Sequence, residues 1–156
     1  MKRHVQLQPL SRQHHNGLLM AMLLTKGLKK NGSAEVMRDF ISSGWRDELK
    51  EHFEMEESVL IPALEKKSFD SALTRQLLEE HRKLRLLIQK AIDHSATAND
   101  ISDFASLLEK HIRFEEKIYF PLAEKALIET ELIQIGSLLR EDRSKNCMNY
   151  PIKFWE

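Results

Sequence analysis

The chain has 156 residues, enough for a sizeable core, and we read 1–156 as a single domain. Lys plus Arg number 24 and Asp plus Glu number 24, a formal charge of zero, which argues against a nucleic acid or a membrane surface held by bulk electrostatics. The one cysteine, Cys147, excludes an intrachain disulfide and a thiolate metal cluster and fits a reducing cytoplasmic compartment, the first residues lack the apolar stretch of a secretory signal, and no apolar run is long enough for a bilayer.

Gly and Pro are scarce and no long stretch alternates β-branched with polar residues, so the composition favours helices throughout. Residues 1–9 read as an extended lead-in ending at Pro9. Ser11 is the expected N-cap of a first helix running to about Lys30, with Asn31 and Gly32 as its C-cap and turn. Ser33 caps a second helix through Lys66 or Lys67, with an expected kink at Ser42-Ser43-Gly44 and a bent or frayed end at Pro62. Asp70 or Ser71 caps a third helix from about Ala72 to His94. After a loop at 96–100, a fourth helix runs from about Ile101 to Leu127, with Pro121 in the place that Pro62 holds. Residues 129–142 read as a short fifth helix. The tail from Ser144 ends in Tyr150, Phe154 and Trp155, which would lid the bundle mouth, pack the fifth helix or serve a partner. Four long helices with short loops predict an all-α fold, an up-down-up-down four-helix bundle with a short fifth helix and a C-terminal tail.

One internal repeat stands out. His52 to Lys66 and His111 to Lys125 share His, Glu, Glu, Pro, Glu and Lys at matching places. Each begins His-x-x-x-Glu, and on a helix residues i and i+4 lie one turn apart on one face. His111 and Glu115 interrupt a stripe of Phe104, Leu107, Leu108, Phe114, Ile118, Tyr119 and Leu122. His52 and Glu56 interrupt one of Trp45, Leu49, Met55, Val59, Leu60 and Ala63. A carboxylate is expensive to bury unless it is paired or holds a metal, so two such pairs ask for cations. His81, among Leu77, Leu78, Leu84 and Ile88, is a third inward histidine. On helix one, Leu10, Leu18, Ala21, Leu24 and Leu28 share the side of His14, whereas Arg12, Asn16, Lys26 and Lys30 share that of His15. We take His14 as the ligand and place His15 at the rim, with His15 kept as the alternative. Four imidazoles and two carboxylates, His14, His52, Glu56, His81, His111 and Glu115, suit a pair of transition metals, most naturally iron, two histidines on each and the glutamates bridging. Zinc and manganese would also accept these ligands. Glu57 and Glu116 fall one residue off the motif face and read as solvated, Met20, Met22, Met37 and Met55 as core, and His4 and His94 as without a role.

These residues resemble the hemerythrin-like (HHE cation-binding) family. The matching features are Leu10-Ser11-Arg12-Gln13-His14-His15, His52-x-x-x-Glu56-Glu57 with Pro62, Leu78-Glu79-Glu80-His81, and His111-x-x-x-Glu115-Glu116 with Pro121, spanning roughly residues 10–127. The resemblance implies a four-helix bundle around a non-haem di-iron centre, oxo- or hydroxo-bridged, that meets oxygen, nitric oxide or peroxide. Oxygen-carrying members have a further histidine where this chain has Arg85, and an aspartate where it has Glu115. The set here is more similar to the iron–sulfur repair and iron-sensing branches.

Three functions are therefore expected in order. The first is a cytosolic di-iron protein whose small ligand is a diatomic molecule or peroxide, with metal affinity falling below about pH 6 as histidines protonate. The second is a di-iron redox enzyme, or an iron donor to damaged clusters. The third is an interaction bundle with a structural metal, for which the sequence names no protein partner.

Overall fold

The computed structural model describes residues 2–139 and 147–156, and within them it is all helical, with no strand. The lead-in is not extended. Val5–Leu7 form a 3-10 turn, with the His4 ring nitrogen accepting from the Gln6 N–H. The first helix, α1, Gln8–Lys29, follows directly, its N-cap Leu7 lying ahead of the expected cap Ser11. Pro9 sits in its first turn, where a missing N–H costs nothing. Ser11 is therefore inside the helix, and its hydroxyl donates to Glu116 at 2.8 Å. Asn31 ends α1 in the left-handed region at φ 55, and the Gly32 N–H donates to the Gly27 carbonyl at 2.8 Å. A Cβ on Gly32 would lie 2.9 Å from the Phe154 carbonyl oxygen, a backbone atom that cannot yield.

Ser33 caps the second helix, α2 (34–65), by accepting from the Val36 N–H. It is built of Ala34–Gly44, Lys50–Met55 and Ile61–Glu65, joined by wide π-turns at Trp45–Leu49 and Glu56–Leu60. At the expected kink, Ser42-Ser43-Gly44, Gly44 keeps helical angles, and the departure from a regular α-helix comes just after it, in the π-turn from Trp45. Nor does Pro62 fray the end. The Ile61 N–H donates five residues back to Glu56, so Pro62 enters in the first turn of a fresh α segment, which tolerates its missing N–H.

The third helix, α3, Ser71–Ile92, is capped by Asp70. His94 closes it at φ 59, a backbone role that its position did not announce. The fourth helix, α4 (98–126), starts before Ile101 because Thr97 and Asp100 form a capping box. It repeats the pattern of α2: Ala98–Phe114, a π-turn at Glu115–Tyr119, then Phe120–Ala126 with Pro121 in its first turn. The fifth, α5, spans Glu129–Leu138, shorter than expected, and residues 140–142 lie outside those described.

The apolar core falls into two clusters. One takes Met20 and Leu24 from α1, Phe40 and Leu49 from α2, Leu84 and Ile88 from α3, and Phe104 and Leu108 from α4. The other takes Leu10, Leu60, Leu77 and Phe120 from the same four helices, with Leu132 and Ile135 of α5. The described tail does not pack α5, whose buried residues belong to the other cluster. Phe154 and Trp155 join the first cluster, with Phe154 4.9 Å and Tyr150 5.1 Å from the Phe40 ring. Residues 144–146 of the expected tail lie outside those described.

The Thr97 cap is exposed, so its loss should report helix capping alone. Thr97→Ala is expected to lower stability by about 1 kcal/mol, seen as a lower urea midpoint with an unchanged slope.

Candidate metal centre

Between the two apolar clusters lies a layer of buried polar side chains. All six candidate residues are in it: His14 of α1, His52 and Glu56 of α2, His81 of α3, His111 and Glu115 of α4. Glu56, Glu115 and His81 are fully buried, at 0% exposure. His15 is exposed and stays outside the layer. Two groups can be drawn whose ligand atoms all lie within 4.8 Å of one another: His14, His52, Glu56 and Glu115, and Glu56, His81, His111 and Glu115. Both glutamates belong to both groups.

The Nε2 atoms point into the shared centre. His14 Nε2 lies 2.8 Å from Glu115 Oε1 and 3.1 Å from His52 Nε2. His81 Nε2 comes within 3.2 Å of Glu56 Oε1, and His111 Nε2 within 3.3 Å of Glu115 Oε1. These last two approaches are not aligned as hydrogen bonds. Both oxygens of Glu56, Glu115 Oε2, and the Nε2 atoms of His81 and His111 are buried without a hydrogen-bond partner among the described residues. Buried polar atoms are almost always satisfied, so five orphans converging on one point fit a cation as the missing partner. Neutral imidazole nitrogens and carboxylate oxygens are the donors a borderline transition metal accepts.

The opposite ring nitrogens are fixed from outside. His14 Nδ1 meets Glu116 at 3.1 Å, His52 Nδ1 meets the Gln13 side-chain oxygen at 2.5 Å, His81 Nδ1 meets Glu57 at 2.6 Å, and His111 Nδ1 meets Glu80 at 2.7 Å. An acceptor there holds the proton on Nδ1 and leaves the Nε2 lone pair for a metal. Glu57 and Glu116 are thus not merely solvated. The signal that finds them is adjacency: each directly follows a buried glutamate, on the flank nearest the next helix. Gln13 and Glu80, each one residue before an inward histidine, occupy the equivalent place in the other direction. Arg85 grips Glu57 through both guanidinium nitrogens, at 2.7 and 3.0 Å.

Electrostatics agree with this geometry. Burial alone would pull the His52 imidazole down, but the Glu56 charge first, with the Glu56 and Glu115 carboxylates 3.4 and 4.0 Å from its Nε2, carries it to about 10 in the metal-free chain. For His111, burial opposes and the Glu115 charge prevails, again reaching about 10. His81 is raised against its own burial by the Glu56 carboxylate 3.2 Å from its Nε2 and by the hydrogen bond of its Nδ1 with Glu57. Glu57 is lowered to about 2, because hydrogen bonds from His81 and Arg85 outweigh its burial. Glu115 is buried but held well below the usual carboxylate range, first by the His111 charge. Tyr119 turns away from the centre: its hydroxyl meets Thr74 at 2.9 Å, and burial pushes it up to about 12.

The face beyond each motif differs from the simple helical spacing. Ile118 and Leu122 are exposed, at 45% and 39%, while Tyr119, Phe120 and Ala123 are buried. Likewise Leu60, Ile61 and Leu64 are buried where Val59 and Ala63 are only partly so. The π-turn that starts at Glu56 and again at Glu115 inserts one extra residue, and the buried face advances by one position. Leu78 and Met22, expected inside, are exposed, and Asn16, expected outside, is buried. Asn16 bonds Glu48 and accepts from the Cys147 N–H, tying α1 to α2 and the tail.

A narrow cavity touches the centre. It has room for about one water and is lined by Gln13, His14, His52, Leu108, His111 and Ile112 among others. No helix of the described residues is long and apolar enough to cross a membrane.

Compared with known proteins, the chain matches the family described as Hemerythrin HHE cation binding domain over residues 7–123. No curated protein and no solved structure matches significantly.

The raised histidines set a pH dependence. With values near 10, His52 and His111 each carry a proton at pH 7 in the metal-free chain and must lose it to ligate. Loading metal at pH 7 should release about two protons per chain, measurable by pH-stat, and affinity should weaken continuously as pH falls from about 10 rather than only below 6. The same raised values contribute stability to the metal-free chain that is fully present below 6.5 and lost as pH rises through about 10.

Proposed function

The chain belongs to the hemerythrin HHE cation-binding family, and from that premise we propose that it is a non-haem di-iron protein that binds or reacts with oxygen, nitric oxide or peroxide. His14 and His52 would hold one iron, His81 and His111 the other, with Glu56 and Glu115 shared. The observation that carries this reading is the convergence of five unpartnered buried atoms at the centre of six ligand-type side chains. Iron bound there would supply the redox chemistry.

The chain's own residues supply the rest. Gln13, Glu57, Glu80 and Glu116 fix the imidazole tautomers. Phe53 and Phe120 stack on His81 and His14, at 3.9 and 5.3 Å between centroids, and hold those rings in plane. The apolar clusters above and below keep bulk water from the layer. The cavity of one-water size favours a small ligand over an organic substrate. Arg85 is committed to Glu57, so the His81 side gains no third imidazole. That favours redox turnover, iron donation or iron sensing over reversible oxygen carriage.

The order in which the helices meet the two clusters supports an up-down-up-down bundle. Helices α1 and α3 pass from the Leu10 and Leu77 cluster to the Leu24 and Ile88 cluster, and α2 and α4 pass back. The single cysteine supports a reducing compartment.

The test is metal content with an optical spectrum after anaerobic iron loading. Two irons per chain are expected, and exchanging His52→Ala together with His111→Ala should abolish binding. Well under one iron per chain in the unaltered protein, or two irons kept by the double variant, would contradict the assignment. Turnover with an added electron donor separates an enzyme from a binding protein.

A further inference from the structure

Resting on the di-iron reading, we propose that the two metal positions are unequal by construction: the position of His81 and His111 is the tight one, and that of His14 and His52 is the exchangeable one. The difference in charge behind the histidines lies in one pair of residues, Gln13 and Glu80.

The two halves of the layer are built alike. His14 and His81 each give Nδ1 to the glutamate that follows a shared ligand, Glu116 and Glu57. Each of those glutamates is tied to an arginine. Arg85 bonds the Glu57 carboxylate, and Arg3 bonds the Glu116 carbonyl at 2.7 Å with its carboxylate 3.9 Å away. Each arginine lies over the phenylalanine that stacks on the histidine, Arg85 at 5.5 Å from Phe53 and Arg3 at 5.3 Å from Phe120. These parts are of the same kinds on both sides, although Arg85 grips the Glu57 carboxylate directly whereas Arg3 spends its closest side-chain contact on Glu124.

What remains is the residue one place before His14 and before His81. Gln13 is neutral and accepts from His52 through an amide oxygen. Glu80 accepts from His111 through a carboxylate, whose other oxygen is held by the Gln76 amide at 3.1 Å. A carboxylate on the far nitrogen makes an imidazole a stronger donor than an amide does, because it stabilises the positive charge that ligation draws onto the ring. The His81 and His111 position thus has two carboxylate-backed ligands, and the His14 and His52 position has one. The small cavity borders Gln13, His14 and His52 and also reaches His111, so access does not by itself separate the two positions.

The proposal is tested by titrating the metal-free full chain with cobalt(II) at fixed pH, followed by calorimetry and visible absorption. Repulsion between two bound ions separates the steps in any such chain, so the informative result is which step each variant moves. Glu80→Gln should weaken the first, tight step by about 10–100-fold and leave the second in place. Gln13→Glu should tighten the second step, a gain that damage to the fold cannot mimic. The proposal is overturned if both substitutions move the same step, or if neither changes the gap between steps. Failure of the unaltered chain to take up cobalt at all would instead overturn the di-iron reading on which the proposal stands.

Discussion

Two carboxylates at the centre of an apolar bundle are the constraint around which this molecule is arranged. Glu56 and Glu115 are fully buried, and each keeps at least one oxygen without a hydrogen bond among the described residues. A buried, uncompensated charge costs several kcal/mol, a large part of the 5–15 kcal/mol that stabilises a typical domain. The imidazoles of His52, His81 and His111, each raised toward its protonated form, offset that cost in the metal-free chain, and ions would do so in the loaded one. The division of the core into two clusters follows, because the polar layer separates apolar side chains that would otherwise pack continuously.

Holding four rings at one point requires support from every helix. Each imidazole is fixed at the nitrogen facing away from the centre, and two are clamped flat by a phenylalanine. The repeat in the sequence reappears as a repeat of this support: ligand glutamate, following glutamate, arginine, stacked ring. Even the helix irregularities repeat, since a π-turn begins at Glu56 and again at Glu115. Such turns often lie at functional sites. Here they absorb the downstream Pro62 and Pro121 and turn the next apolar residues onto the core.

Much of this could be read from residue order. The doubled His-x-x-x-Glu in apolar stripes pointed to the inward set, and helical spacing separated His14 from His15. The π-turns could not be read, because a regular 3.6-residue period was assumed through them. The resulting one-residue advance put Ile118 and Leu122 outside and Ala123 inside. The N-terminal boundary was misplaced for a different reason: Ser11 has the chemistry of a cap, but its hydroxyl is taken by Glu116, 105 residues away. Glu57 and Glu116 looked solvated because partners on neighbouring helices are invisible to a single-helix projection, and Glu80 was given no role for the same reason. The same applies to Asn16, whose contacts come from α2 and the tail.

The central claim is that the six side chains exist to hold ions between them. Anomalous diffraction at the iron edge, from a crystal of the iron-loaded protein, addresses it directly. The account predicts two peaks in the buried layer, one beside His14 and His52 and one beside His81 and His111, with Glu56 and Glu115 touching both. A layer with no peak, its imidazoles and carboxylates bonded only to one another, or iron found solely at surface carboxylates, would contradict it.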